Sequence, residues 1–239
     1  MSDEISYDDD FFNNQSPGSI RSARKILKLL AQSYDFSSVL DVGCGIGTWL
    51  SACEETGIHD VFGVDGEYIR PDRLLIPNEK FQAVDLNQRF DLDRKFDLVM
   101  SLEVAEHLSS DNADAFVTSI TSHGDAVLFS AAIPRQGGTH HINEQWSEYW
   151  LSLFESKGFE AVDFIRDVIW NDAEIPFWYR QNICFFRRSS QNKNILPSME
   201  RTSFPSRVHP YLYIKKVKGD RKEKRRLKKA FNNYCTENE

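Results

Sequence analysis

The stretch VLDVGCGIGTWL, residues 39–50, narrows the possible fold more than any other part of the chain. A short apolar run from Val39 to Val42 meets three glycines at alternate positions, Gly43, Gly45 and Gly47, and then a segment with helical apolar spacing. An unbroken apolar run of that length fits a strand buried on both faces of a parallel sheet. The glycines let the backbone turn sharply and come close to a ligand, and a helix starting there offers unpaired N–H groups. The spacing is G-x-G-x-G with no lysine after it, unlike the G-x-x-x-x-G-K-[ST] loop that holds a nucleoside triphosphate, so the chain does not read as an NTPase.

The same alternation continues along the chain. SPGSIRSARKILKLLAQSY predicts a helix from about Ser19 to Ser33, and TWLSACEETG one that is stopped by Gly57. DVFGVD, FQAVDL, KFDLVMSL and DAVLFSAAIP predict strands, with DNADAFVTSITSHG a helix capped by Asp111. NEQWSEYWLSLFESKG follows as a helix whose apolar face is Trp146, Tyr149, Trp150, Leu153 and Phe154; FEAVDFIRDVIW and RQNICFFRR supply two last strands. Repeated strand and helix predict an α/β fold with a doubly wound sheet, and such sheets bind ligands at the carboxyl ends of their strands. At 239 residues one large domain is expected, over residues 1–188. Residues 189–239 read as a polar, proline-containing linker and a basic extension.

Composition limits the partners. Residues 215–229, KKVKGDRKEKRRLKK, hold ten basic residues and two acids, leaving 19 basic against 34 acidic in the rest of the chain. A body of net charge −15 repels polyanions, so only the tail offers nucleic acid or an anionic membrane a surface. No apolar run nears the ~18 residues of a membrane span. The acidic start MSDEISYDDDFF has no apolar signal core, so a cytoplasmic location is expected. Four widely spaced cysteines without a C-x-x-C pair argue against a disulfide framework and a zinc ribbon.

Acids stand where a nucleoside would be gripped. Asp41 precedes the glycines, Asp65 ends the next strand where its carboxylate can accept both hydroxyls of a ribose, and Asp85 ends the one after. With these in place, Val39 to Leu108 resembles the class I S-adenosylmethionine-dependent methyltransferases: LDVGCGIGT their first motif, GVDG their ribose-binding acid, VDL their adenine-contacting acid, FDLVMSLEVAEHL their fourth-strand motif. The resemblance covers roughly residues 20–187 and implies a seven-stranded, mostly parallel sheet with a terminal antiparallel hairpin, an N-terminal helical lid, and S-adenosylmethionine as donor. It implies donor-binding roles for Asp41, Gly43, Cys44, Gly45, Gly47, Trp49, Asp65, Gly66, Asp85, Leu86 and Ser101.

SLEVAEHL, residues 101–108, carries Glu103, Glu106 and His107 at i, i+3 and i+4, on one face if the chain turns helical after its strand. Two carboxylates and an imidazole suit Mg²⁺, Mn²⁺ or Zn²⁺, or can line an acceptor pocket without metal. A further ligand is available from His140 and His141 in IPRQGGTHHINEQW. E-x-x-E-H followed by a later histidine is similar to two metal-dependent branches of the family, the small-RNA 3′-terminal 2′-O-methyltransferases and the ubiquinone-pathway O-methyltransferases. That similarity implies Glu103, Glu106, His107 and His141 as metal ligands. His140, His107 and Glu144 are then the catalytic candidates, His140 as a spare histidine and general base.

IWNDAEIPFWYRQN sets Trp170, Phe177, Trp178 and Tyr179 around a proline, which suits either a small polar ring such as a sugar or core packing beneath the sheet. Its likeness to glycan-modifying bacterial methyltransferases leads to methylation of a sugar hydroxyl on a carbohydrate or glycosylated metabolite. RNA ribose 2′-O-methylation and a non-catalytic cofactor-binding scaffold are the alternatives.

Overall fold

The computed structural model describes residues 9–189 and 202–237. Seven strands form one sheet: β1 (Ser38–Val42), β2 (Asp60–Asp65), β3 (Phe81–Ala83), β4 (Leu98–Leu102), β5 (Ala126–Ser130), β6 (Phe159–Val162) and β7 (Cys184–Arg188). Their order is β3-β2-β1-β4-β5-β7-β6. The first five run parallel, and β7 pairs antiparallel with both β5 and β6. This is the class I methyltransferase sheet expected from the sequence. The order reverses between β1 and β4, so the connections that leave those two strands run in opposite directions and leave a crevice beyond their carboxyl ends.

Every residue of β4 and β5 is buried, as strands covered on both faces must be. On one face Ile26, Leu30, Leu50, Leu98, Leu128 and Phe185 join a core to which α1 (Asp9–Ala31) and α2 (Thr48–Glu55) contribute. On the other, Val99, Phe116, Phe129, Phe154 and Phe186 bury α3 (Ala113–Ser122) and α4 (Ser147–Ser156).

Three boundaries differ from the sequence reading. The first helix starts at Asp9 and runs through Pro17 and Gly18, which read as a turn. A proline forfeits its own helical N–H, and the turns after it are held by the buried Ala23, Ile26 and Leu30. Asp111 does not cap α3: it lies in a 3₁₀ turn, Ser110–Asn112, whose cap is Ser109, with Oγ accepting from the Asp111 N–H at 3.4 Å. FEAVDFIRDVIW is a strand only to Val162; α5 (Ile165–Ile169) follows, and FWYRQN forms α6 (Phe177–Asn182) ahead of β7. The buried Arg166 turns back on Asp163 with a two-pronged ion pair and also donates to the carbonyls of Gln181 and Pro205, a set of bonds an extended chain could not make.

The chain divides into two compact units, residues 1–206 and 207–239. Of the linker read from the sequence, residues 190–201 lie outside the described residues, while Thr202 donates to the Ala161 carbonyl and Phe204 is buried in the first unit. The second unit is α7 (Pro210–Glu237) with the residues just before it. No helix among the described residues is long and apolar enough to cross a membrane.

Candidate active site

The glycine loop holds its shape through backbone conformations that other residues rarely adopt. Gly43 sits at φ 83°, and a Cβ there would lie 2.4 Å from Val104 Cγ2, so the β1 and β4 ends approach at a distance only glycine allows. The Gly43 and Cys44 N–H groups donate to the Val64 carbonyl, and Gly47, at φ 84°, becomes the N-cap of α2. These turns open a cavity of about 710 Å³, within the ~300–1,000 Å³ usual for small ligands.

Asp41, Gly43, Cys44, Gly45 and Trp49 line one wall of it, and Asp65, Gly66, Asp85 and Leu86 another. Asp41 and Asp65 are both 3% exposed. Burial and then the Asp65 charge push the Asp41 carboxyl up to about 8. Burial also raises Asp65, against the pull of donors from Tyr68, Gly45 and Gly66. Gly47 and Ser101 do not line the cavity; Ser101 is fully buried within β4.

At the other end of the cavity the chain leaves β4 at Glu103, with φ 57°. The turn after it is not α-helical but 3₁₀, Ala105–His107. The Glu103 carboxylate accepts from Asn182 Nδ2 at 3.0 Å and Gln136 Nε2 at 2.9 Å. Gln136 Oε1 accepts in turn from Asn182 and Gln181, all three amides being at least 96% buried. Glu106 is the opposite case: it is wholly buried, neither carboxylate oxygen makes a hydrogen bond of normal geometry, and the polar groups acting on it are the backbone N–H groups of Glu106 and Ala132 and the Glu103 carboxyl. Burial and the Glu103 charge drive its pKa far above the usual carboxylate range.

Glu106, His107 and His141 each bring one ligand atom into a group no more than 4.8 Å across, to which Glu103 does not belong. His107 Nδ1 donates to the His140 carbonyl at 3.3 Å, which leaves Nε2 as its lone-pair nitrogen. Burial lowers the His107 pKa to about 4, so the ring is neutral near pH 7. His141 Nδ1 is 3.0 Å from Glu144 Oε1, which leaves its Nε2 as acceptor, 4.0 Å from Glu106 Oε1. Once Glu106 is ionised, its carboxylate and the two imidazole lone pairs suit a divalent cation, whose charge would offset the burial that otherwise favours the protonated acid.

Glu144 touches the site through other groups. Besides His141, it accepts from the Arg135 and Gly137 N–H groups at 2.6 and 2.7 Å, so it folds the glycine-rich loop and orients the imidazole rather than facing the cavity. His140, expected to act as a base, is exposed and does not line the cavity: at φ 56° the backbone turns its carbonyl, not its ring, toward His107.

Residues 18–159, more than half of the chain, match the family model described as a methyltransferase domain. The chain belongs to this family. Solved methyltransferase structures share its fold: DesVI of Streptomyces venezuelae, 17% identical with a TM-score of 0.57, aligns over 75% of this chain and 96% of its own. The amino pentose methyltransferase CalS10 of Micromonospora echinaspora is 16% identical with a TM-score of 0.56, over 79% and 100%. Magnesium protoporphyrin IX methyltransferase of Synechocystis PCC 6803, solved with bound S-adenosylmethionine, is 18% identical with a TM-score of 0.52, over 79% and 87%. Among curated proteins, no significant match is found.

The methyltransferase therefore takes S-adenosylmethionine, and its cavity fits that donor on physical grounds. Asp41 and Asp65 are buried acids and no lysine or arginine lines the cavity, so a cationic ligand beside them would favour their ionised forms. Sequence reasoning passed over Gln136 and Asn182, whose hold on Glu103 spans 33 and 79 residues, and Tyr68, which bonds Asp65. Local pattern carries no signal for either. Of the aromatics weighed as sugar platform or core, Trp178 and Tyr179 line the cavity, and Phe177 is buried outside it.

Proposed function

We propose that the methyltransferase methylates a sugar hydroxyl of a carbohydrate or glycosylated metabolite, assisted by a divalent cation held by Glu106, His107 and His141. The observation that carries the metal site is the Glu106 carboxylate, fully buried at the cavity with neither oxygen in a hydrogen bond of normal geometry, beside two imidazole lone pairs. Burying a charge without partners costs several kcal/mol, a cost that a bound cation removes. Such a cation lowers the pKa of an alcohol near it. S-adenosylmethionine, when bound, supplies a methyl that is already electrophilic.

The protein's own groups do the rest. Glu144 fixes the His141 tautomer so that Nε2 presents its lone pair to the cation, and the acidified hydroxyl gives its proton to water. Trp49, Tyr179 and Trp178 form an aromatic wall, with ring centroids 5.4 Å apart for Trp49–Tyr179 and 6.1 Å for Trp178–Tyr179, on which the apolar face of a sugar ring can rest. The shared fold with an amino pentose methyltransferase supports a sugar acceptor. A second reading, methylation of an RNA ribose hydroxyl, is favoured by the ten basic residues between 215 and 229.

Labelled-methyl transfer against sugars, nucleotide sugars and RNA, with and without chelator, tests both. Sugar methylation that chelator abolishes is expected. Transfer unaffected by chelator would return Glu106 and His141 to direct contact with the acceptor, and salt-sensitive transfer to RNA alone would replace the sugar reading.

A further inference from the structure

Asp65 is where the cavity would grip the donor ribose, and its carboxylate is already nearly saturated. Oδ2 accepts the Gly45 N–H at 2.7 Å, while Oδ1 accepts the Gly66 N–H at 2.7 Å and the Tyr68 hydroxyl. A carboxylate offers about four lone-pair positions, so three donors leave about one. A ribose diol presents two hydroxyls and needs two positions. One of the three donors must leave when a ribose arrives.

The two N–H groups cannot. They belong to the turns that shape the cavity wall, and Gly45, at φ 55°, is committed to its place by the loop itself. Tyr68 can leave, because its side chain is the movable donor and the residue is 49% exposed. Its ring lies on the backbone of Gly66, where a Cβ would stand 2.3 Å from Tyr68 Cε1 and 2.6 Å from Cδ1. Tyr68 thus lines the cavity between Asp65 and the solvent.

We infer that Tyr68 gates the ribose end of the donor cavity: its hydroxyl occupies a position on Asp65 that a ribose hydroxyl takes, and the ring swings away before the donor seats. Gly66 is glycine so that the closed ring has a flat bed. The gate lowers donor affinity by the fraction of molecules in which it is shut. The inference rests on S-adenosylmethionine as donor and is independent of the acceptor and the cation.

The test compares the full-length wild type with Tyr68→Phe and Tyr68→Leu for binding of S-adenosylhomocysteine, by calorimetry for affinity and by stopped-flow fluorescence of Trp49 and Trp178 for association rate. Tyr68→Phe keeps the ring and loses the latch, so Kd should fall about three- to tenfold, mainly through faster association. Tyr68→Leu should associate at least as fast as Tyr68→Phe. Unchanged or weaker binding in Tyr68→Phe overturns the gate, since the hydroxyl would then contact the nucleoside or only brace Asp65. Slower association in both variants overturns it as well. The wild-type titration alone reports on donor binding, so failure of that reading shows separately.

Discussion

At the scale of single residues, the site is defined by acids that burial has made uncomfortable. Glu106→Gln keeps the shape of the side chain, so it should leave the fold intact while removing the charge a cation needs. Calorimetric titration of Mn²⁺ into chelator-treated protein should show binding weakened at least tenfold in Glu106→Gln and His107→Ala. The acids also set a pH dependence. With its pKa raised to about 8, Asp41 binds more protons in the folded than in the unfolded chain, so its contribution to stability is full below about pH 4 and is lost as pH rises through 8. His107, lowered to about 4, works the other way and costs stability as pH falls from about 6.5 to 4. Above pH 6.5 the His107 contribution is gone while that of Asp41 persists. The melting temperature of the donor-free protein should therefore fall from pH 6.5 to 8.5, and Asp41→Asn should flatten that slope.

At the scale of elements, two short segments decide how the strands end. Gly43→Ala places a methyl against Val104 at a positive φ, combining backbone strain with overpacking. A loss of about 2 kcal/mol or more in chemical denaturation is expected, with donor binding weakened more than tenfold. Arg166 is fully buried against Asp163 and ties α5 to the end of α6 and to residue 205. Arg166→Ala strands a buried carboxylate, and a loss of about 3–5 kcal/mol in urea unfolding is expected. In the sequence, DFIRDVIW reads as strand because Phe164, Ile165, Val168 and Ile169 favour one; the ion pair that overrules them joins side chains three residues apart and is visible only once the chain has folded.

At the scale of the whole molecule, the cavity draws its walls from residues between 19 and 179, all in the first unit. A chain ending at Ser206 should therefore bind S-adenosylhomocysteine within about threefold of the full-length affinity, measured by calorimetry, while any salt-sensitive binding of RNA should be lost with residues 207–239. What the sequence by itself determined was whatever depends on a few adjacent residues: the strand–glycine–helix turn, the acids at the carboxyl ends of β1, β2 and β3, the E-x-x-E-H cluster and the apolar periods that specify an α/β sheet. These follow from local backbone sterics and from which faces must be buried. Only the tertiary structure decided that Glu103 is held by amides while Glu106 is not, that His141 faces the cavity and His140 does not, and that Tyr68 lies on Asp65. Each of those outcomes depends on hydrogen-bond capacity being satisfied between segments brought together by packing, and a linear pattern contains no count of which lone pairs remain open.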